Sequence, residues 1–274
     1  APKIELGVNL VATQDTVESD SFDNQYDTGA AYEKVYVDNG NGTYTENGQL
    51  YVLIEDTYIP VTADDTVDGL YTNANGDAYV ATEQAVKSTF ENGADQITLI
   101  QDVSLKNTGS YGNGTPDTYI LTPNAVLDLN GHTITVLSND RFMIAGSGTV
   151  IKNGQIKAGP MSGSATGKIT YSLAVTANSQ DVVIENIVCE GGIEVLGRST
   201  ATLRNVTVTA TNFYTMYLVG GATATVESGD FTAQSGLQHF YIQDTGSELI
   251  LKGGTFSGGT PTKTGSGTLT NLIG

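Results

Sequence analysis

The sequence has no tryptophan, little positive charge and a single cysteine. Because Cys189 is the only cysteine among 274 residues, no disulfide can form within the chain. Only 12 Lys and Arg side chains stand against 30 acidic ones, which gives a formal net charge of −18. Nucleic acids, acidic polysaccharides and anionic membranes all need clustered positive charge, so the composition argues against each of these partners.

Long apolar runs are also missing. A membrane-spanning helix needs about 20 consecutive apolar residues, and the sequence has no such stretch. The residues after Ala1 lack the basic-then-apolar pattern of a signal peptide. Two histories fit this start: a signal peptide has already been removed, or an initiator methionine has been lost from a protein made without export. The first history predicts a secreted or cell-surface location, and the second does not.

A repeated motif dominates the second part of the chain. Short runs of strand-forming residues end in Asn, Ser or Gly and are followed by another apolar residue. The aligned end positions are Asn130, Asn153, Asn186, Asn205, Ser228 and Gly253, with spacings of 23, 33, 19, 23 and 25 residues. This recurrence predicts a parallel β-helix of about seven turns, in which each repeat forms one coil. Asn and Gly at the repeat ends favour the left-handed backbone that a sharp corner requires.

Each repeat alternates apolar and polar residues, so one side of every strand is expected to point inward. A single coil cannot bury that side alone, but stacked coils form a continuous core. The predicted interior column is Val126, Val150, Val183, Leu203, Val226 and Ile250.

A short helix is predicted ahead of the first coil, over residues 82–92, with Ala81 or Thr82 at its start. Ala85, Val86, Thr89 and Phe90 would form its buried stripe, and Gly93 follows its end. A helix in this place would cover the open end of the stack.

This region resembles right-handed parallel β-helix proteins of the pectate-lyase-like superfamily, and its non-catalytic bacterial and phage surface members most of all. The resemblance rests on residues 82–93, 97–103 and 127–134 and extends over about two-thirds of the chain. It implies an all-β right-handed solenoid with an N-terminal capping helix. Lyases, hydrolases, adhesins and fibres share this fold, so the resemblance implies no single function.

The N-terminal part has a different character, and a boundary is predicted between residues 1–80 and 81–274. Residues 1–95 hold 18 acidic and 3 basic side chains, a balance of 3 − 18 = −15. Asn-Gly pairs at 41–42, 47–48 and 75–76 separate strand-like runs at 34–37, 50–54 and 57–61, which predicts a small antiparallel hairpin unit. Residues 1–28 are acidic and poor in apolar side chains, so we expect another subunit or a larger assembly to hold this arm.

Catalytic motifs are not apparent. Resemblance to polygalacturonases would imply paired aspartates with Gly-His-Gly and Arg-x-Lys elements, and resemblance to pectate lyases would imply calcium-binding acids with an arginine base; the sequence has neither set. His132 and His239 lie in different repeats and are interpreted as corner or surface residues. The turns at 38–42 and 73–77 carry oxygen ligands of the kind that calcium prefers, but turn chemistry explains both. We predict no catalytic, cofactor or metal residues.

Tyrosines are the candidate binding residues. Tyr111, Tyr119, Tyr214, Tyr217 and Tyr241 are predicted as possible glycan contacts, and Tyr171 belongs to the same group, because aromatic rings stack on sugars. The alternative is that several of these rings line the core or stack in ladders between coils.

The expected function is structural or adhesive and not enzymatic. The leading hypothesis is a bacteriophage head fibre or capsid decoration protein on the virion surface, which binds capsid or other subunits through its arm and forms a homo-oligomer. The alternatives are a secreted bacterial adhesin or module that binds cell-surface glycans and, third, a polysaccharide lyase or hydrolase.

Overall fold

The structure is a computed structural model, which describes residues 34–106, 118–120, 122–136, 141–158, 171–176, 178–210 and 214–273. Over these residues it is nearly all β and forms a β-solenoid of about seven turns with a single short helix, as the repeats predict. The predicted anchoring arm at residues 1–28 lies outside the described residues, as does the whole tract 159–170 that lengthens one repeat.

The N-terminal strands form an antiparallel meander, in agreement with the predicted hairpins. These strands are β1 (Val37–Asp38), β2 (Thr43–Glu46), β3 (Gln49–Ile54), β4 (Thr57–Ala63), β5 (Leu70–Thr72) and β6 (Ala78–Val80). The first predicted strand, at 34–37, instead begins at Val37. Asn47 and Gly48 connect β2 to β3 with φ of 48° and 81°, the backbone of a tight two-residue hairpin.

A helix, α1 (Glu83–Glu91), separates the meander from the coils. Its cap is Thr82, whose hydroxyl accepts a hydrogen bond from the backbone N–H of Ala85 at 3.1 Å. The buried stripe is the predicted one: Ala85, Val86, Thr89 and Phe90. Gly93 follows the helix with a φ of 70°, a left-handed conformation that glycine adopts without a steric penalty. The predicted capping helix is therefore confirmed to within one residue at each end.

Each coil has three faces. The first face contains β7 (Gln96–Leu99), β10 (Val126–Asp128), β13 (Val150–Lys157), β15 (Val182–Glu190), β17 (Thr200–Arg204), β20 (Thr223–Val226), β23 (Glu248–Leu251) and β26 (Thr268–Asn271). The second face contains β8 (Val103–Leu105), β11 (Thr133–Val136), β18 (Val206–Ala210), β21 (Gly229–Ala233) and β24 (Thr255–Ser257), together with the second halves of β13 and β15.

The third face is a separate seven-stranded parallel sheet. Its strands are β9 (Thr118–Ile120), β12 (Phe142–Ala145), β14 (Tyr171–Val175), β16 (Gly192–Leu196), β19 (Met216–Val219), β22 (Gln238–Ile242) and β25 (Thr260–Thr264). Every strand on these three faces pairs in parallel with the strand one coil away, so residues of equal position stack directly above one another.

Asparagines form the corner between the first and second faces. Asn130, Asn153, Asn186 and Asn205 have φ between 48° and 61°, the left-handed backbone predicted from the repeat. Their amides connect the coils: Asn186 Nδ2 donates to Asn153 Oδ1 at 3.0 Å, and Asn205 Nδ2 donates to Asn186 Oδ1 at 2.9 Å. At the next corner Ser228 Oγ accepts from the backbone N–H of Asn205, at 2.8 Å. Hydrogen bonds therefore connect the corner residues of successive coils from Asn153 to Ser228.

Substitution of Asn186 tests this ladder of hydrogen bonds between corner asparagines. Asn186→Ala removes both amide hydrogen bonds and places an L-alanine at a φ of 53°, so we expect the free energy of unfolding to fall by about 1–3 kcal/mol. Asn186→Gly relieves the backbone penalty and should cost less. Urea titrations of the three proteins measure the difference, and an alanine variant as stable as the parent would contradict the role of the ladder.

Three columns of inward side chains form the core. The first-face column is Leu127, Ile151, Ile184, Leu203, Val226 and Leu251, and all six are fully buried. The second-face column is Ile134, Ile156, Cys189, Val208, Phe231 and Phe256. The third-face column includes Phe142, Leu173, Ile193, Met216 and Phe240. Each fully buried apolar side chain stabilises the fold by about 1.5–3 kcal/mol, so these columns are the main source of stability.

The predicted interior column is only partly correct. Leu203 and Val226 point inward as expected. Val126, Val150, Val183 and Ile250 lie on the outer side of their strands and are half-buried, and an adjacent residue occupies the interior instead. Two apolar residues stand next to each other at these places, so alternation alone does not choose between them.

Cys189 is fully buried in the second-face column, which confirms its interpretation as a small apolar core residue. Burial raises the pKa of its thiol to about 12, so the thiol stays protonated and unreactive at neutral pH.

Residues Tyr36–Gly274 form one compact unit. The predicted boundary between residues 80 and 81 falls inside it, and β6 and β7 on either side of α1 pair in parallel. Over the described residues, no helix is both long and apolar enough to cross a membrane.

Candidate functional site

The third face brings together three of the tyrosines predicted to contact glycans. Tyr214 lies two residues before β19, Tyr217 lies on β19 and Tyr241 lies on β22. Tyr171, at the start of β14, joins them. Tyr119 lies on β9, of which only the backbone is described, and Tyr111 is outside the described residues.

Tyr171, Tyr217 and Tyr241 stack in a line along the coils, which we call the tyrosine ladder. The ring centroids of Tyr171 and Tyr217 are 5.8 Å apart, and those of Tyr217 and Tyr241 are 5.2 Å apart, with interplanar angles of 23° in both pairs. Tyr214 packs against Tyr241 at 5.2 Å with a tilt of 36°. The ring faces are thus turned toward one another, as in the ladder alternative, and the Tyr217 hydroxyl donates a hydrogen bond to Gln243 Oε1.

Gly192 makes the ladder sterically possible. It lies in the coil between Tyr171 and Tyr217, and a Cβ atom at this position would come within 2.6 Å of the Tyr171 ring and 2.4 Å of the Tyr214 carbonyl oxygen. The missing side chain therefore lets the Tyr171 ring extend across one coil and reach Tyr217 in the next.

A buried ion pair lies beside the ladder. Glu194 occupies the outward position of β16 next to Tyr217, yet its side chain is only 3% exposed. It pairs with Arg141, whose side chain is 14% exposed and whose Nε faces Glu194 Oε2. Burial, and then the negative charge of Glu194, raises the pKa of the Tyr171 hydroxyl far above its usual value of 10.0. Tyr171 consequently remains a neutral hydroxyl under all ordinary conditions.

A second tyrosine cluster lies on the hairpin unit, and its members are not among the binding residues predicted from the sequence. Tyr36, Tyr44, Tyr51 and Tyr58 are all half-buried, and we call them the hairpin tyrosine face. Tyr36 stacks on Tyr58 with centroids 3.5 Å apart and planes within 6°. Tyr51 meets Tyr36 edge-on at 5.0 Å, and Tyr44 meets Tyr58 edge-on at 5.2 Å.

Strand pairing could have identified part of this cluster. The two-residue turn at Asn47 and Gly48 fixes Tyr44 directly opposite Tyr51, which follows from counting outward from the turn. The other side of β3 and β4 packs into a small second core with Val52, Val61, Tyr71, Tyr79 and Ile100. Alternation along the strands then places Tyr44, Tyr51 and Tyr58 on the outward side, whereas Tyr36 lies just before β1.

The two histidines lie far from each other in the stack of coils. His132 follows the Asn130 corner, with its Nδ1 3.5 Å from an oxygen of the largely exposed Asp102 carboxylate. His239 is fully buried next to Phe240 and Phe256, with ring centroids 5.7 and 5.4 Å away. The expectation of a corner or surface residue therefore holds for His132 but is wrong for His239, which alternation alone does not assign to the interior.

His239 is poorly compensated for its burial. Thr215 Oγ1 lies 3.3 Å from its Nδ1, and its buried Nε2 has no hydrogen-bond partner among the described residues. Burial therefore lowers the pKa of His239 below its usual 6.5.

Because the unfolded chain binds this proton more readily than the folded one, we expect the free energy of unfolding to decrease as pH falls below 6.5 toward the lowered pKa. Urea midpoints at about pH 7.5 and about pH 5 should therefore differ more for the parent than for His239→Leu, which cannot titrate. Equal pH dependence of the two proteins would contradict this assignment.

The two turns considered for calcium use their oxygen atoms locally. Asp38 Oδ1 accepts from the backbone N–H of Gly40 at 2.8 Å. Asn73 Oδ1 accepts from the backbone N–H groups of Asn75 and Asp77, at 2.9 and 3.0 Å. Within the described part of the chain, no group of three or more His, Cys, Asp or Glu side chains is arranged to hold a metal ion.

Fold and site together define the protein as a β-solenoid with two outward tyrosine clusters. No known family model, curated protein or solved structure matches the chain.

Proposed function

We propose that this chain is a non-enzymatic structural and adhesive protein, carried on the outside of a larger assembly by its N-terminal residues. The observation that supports this most is the hydrogen bonding at the corners between the first and second faces. The corner side chains donate hydrogen bonds to the preceding coil, at Asn130, Asn153, Asn186 and Asn205. Such bonds stiffen a stack of coils, which suits a rigid spacer.

The assembly that we propose is a bacteriophage particle, with the chain as a head fibre or capsid decoration protein. Residues 1–28 carry six acidic side chains and one lysine, and they are too poor in apolar residues to form a core of their own. Such a segment gains its order from a partner surface, so it is suited to attachment through a capsid or a second subunit.

Deletion of residues 1–30 tests the attachment. Full-length protein is expected to co-sediment with phage particles, and the truncated protein is expected to remain in the supernatant. Circular dichroism of the truncated protein should retain the β-sheet spectrum, because the described coils begin at residue 96. Asn47→Asp, an exposed turn change outside the arm, serves as the matched control and should still co-sediment. Full occupancy of the particle by the truncated protein would refute the proposal.

A secreted bacterial adhesin or glycan-binding module is the second candidate. The half-buried Tyr214 and Tyr241 favour it, since their edges and hydroxyl groups lie on an outward face of the coils. This candidate predicts binding on a glycan array that Tyr241→Ala weakens and Tyr44→Ala leaves unchanged. Binding that is insensitive to Tyr241 would remove its support.

A further inference from the structure

We propose that the hairpin tyrosine face is a binding site for an organic cation, the guanidinium group of an arginine side chain. This site is independent of the proposed attachment through residues 1–28. It rests on two separate properties of the same surface, its aromatic rings and its charge.

The rings form an outward aromatic surface. Tyr44 and Tyr51 are direct partners across β2 and β3, and Tyr58 lies on the neighbouring strand β4. Tyr36 stacks on Tyr58, so each of these two rings has one face occupied by the other. All four rings remain partly open to solvent. The electron-rich face of a tyrosine ring attracts a cation placed within about 6 Å of its centroid.

Core packing does not account for this cluster. The apolar side chains of β3 and β4 point to the opposite side, where Val52 and Val61 pack with Ile100. Tyr71 and Tyr79, which belong to that core, are buried, and burial raises the pKa of both hydroxyls. The four outward tyrosines are therefore a surface feature of the hairpin unit.

The charge of this part of the chain is predominantly negative. Residues 34–80 contain eight acidic side chains and one basic side chain, Lys34. Asp38 lies directly opposite Tyr44 in the strand pairing, and Glu46 Oε2 accepts a hydrogen bond from the Tyr51 hydroxyl at 3.4 Å. Carboxylates at the edge of an aromatic surface repel anions and add a Coulomb attraction for cations. An uncharged sugar would gain nothing from this excess of acid, so a cation fits the surface better.

The cation that fits this surface better is the guanidinium group of an arginine side chain of a protein. It can stack on a tyrosine ring and donate hydrogen bonds to a neighbouring carboxylate, whereas a quaternary ammonium has no N–H to donate. The probes are N-acetyl-arginine amide, choline and the uncharged carbon isostere of choline. Full-length protein is titrated with each probe, and binding is followed by chemical-shift changes of the tyrosine rings. The site predicts that the arginine amide binds better than choline and that the isostere binds much more weakly than either; the reverse order of the two cations would overturn the assignment to arginine and identify a choline-bearing headgroup.

Variants distinguish the contribution of the aromatic ring to binding from that of its hydroxyl group. Tyr36→Leu and Tyr58→Leu remove an aromatic face and should each weaken binding about two- to fivefold, whereas Tyr36→Phe keeps the face and should bind nearly as well as the parent. Glu46→Gln should weaken binding at low salt and make little difference at high salt. Tyr217→Leu, in the tyrosine ladder, is the matched control and should not affect the titration. Circular dichroism verifies that each variant is folded.

Three results would overturn the proposal. The first is binding of the isostere as tightly as choline, and the second is an equal loss for Tyr36→Phe and Tyr36→Leu. The third is absence of binding of both cations; a change in sedimentation of Tyr36→Leu in that case would show that a second copy of the chain occupies the surface instead. None of these results depends on whether residues 1–30 attach to a particle, so the two proposals fail separately.

Discussion

Glu194→Ala is expected to lower the free energy of unfolding by about 3–5 kcal/mol, because it leaves the Arg141 charge in a largely buried place without this carboxylate. Surface ion pairs contribute far less, about 0–1 kcal/mol. The exposed pair of Arg204 and Glu227, on the first face, is therefore a suitable comparison, and Glu227→Ala should change stability little. Urea or thermal unfolding measures the stability of both variants against that of the parent.

The matched double variant makes the test sharper. Arg141→Met combined with Glu194→Leu removes both charges and keeps side chains of similar volume, so it should recover most of the stability lost in Glu194→Ala. If the double variant is as unstable as the single one, the loss arises from packing against the tyrosine ladder and the ion pair is not its cause.

Ile184→Ala is expected to cost about 2–5 kcal/mol, whereas Val183→Ala, one residue earlier, should cost less than about 1 kcal/mol. The reason is the register of the first face, where Ile184 pairs with Ile151 and Leu203 inside the core and Val183 pairs with Val150 on the outer side. A truncated isoleucine leaves a cavity that the neighbouring coils cannot fill without breaking their own stacking.

The same urea titration applied to both variants decides the register. Equal losses, or a larger loss for Val183→Ala, would mean that the strand is turned over relative to the structure. Leu203→Ala provides a positive control, since Leu203 is inward by prediction and in the structure.

Sequence was sufficient for the architecture because several independent signals agree. The Asn corners, the alternation within each repeat and the Thr82 cap of α1 all follow from local backbone and side-chain preferences. The register of the interior column was not accessible in the same way. The inward residue lies two positions before Asn153, Asn186 and Asn205 but three before Asn130, so aligning the corners does not align the core.

The tyrosine surfaces depend on contacts between coils and between strands. Tyr171 and Tyr217 are 46 residues apart in sequence and meet only because Gly192 has no side chain between them. Tyr36 reaches Tyr58 through the pairing of the short strand β1 with β2, which no turn signal specifies. Composition identified tyrosine as the candidate residue type, whereas the grouping of the rings required the fold.

The long repeat between Asn153 and Asn186 has a consequence for how the chain tolerates change. It spans 33 residues where the preceding repeat spans 23, yet β13 and β15 remain paired from Val150 with Val183 to Lys157 with Glu190. The number of residues between β13 and β14 is therefore decoupled from the register of the coils. Foreign sequence inserted between β13 and β14 is expected to leave the pairing of β13 with β15 unchanged.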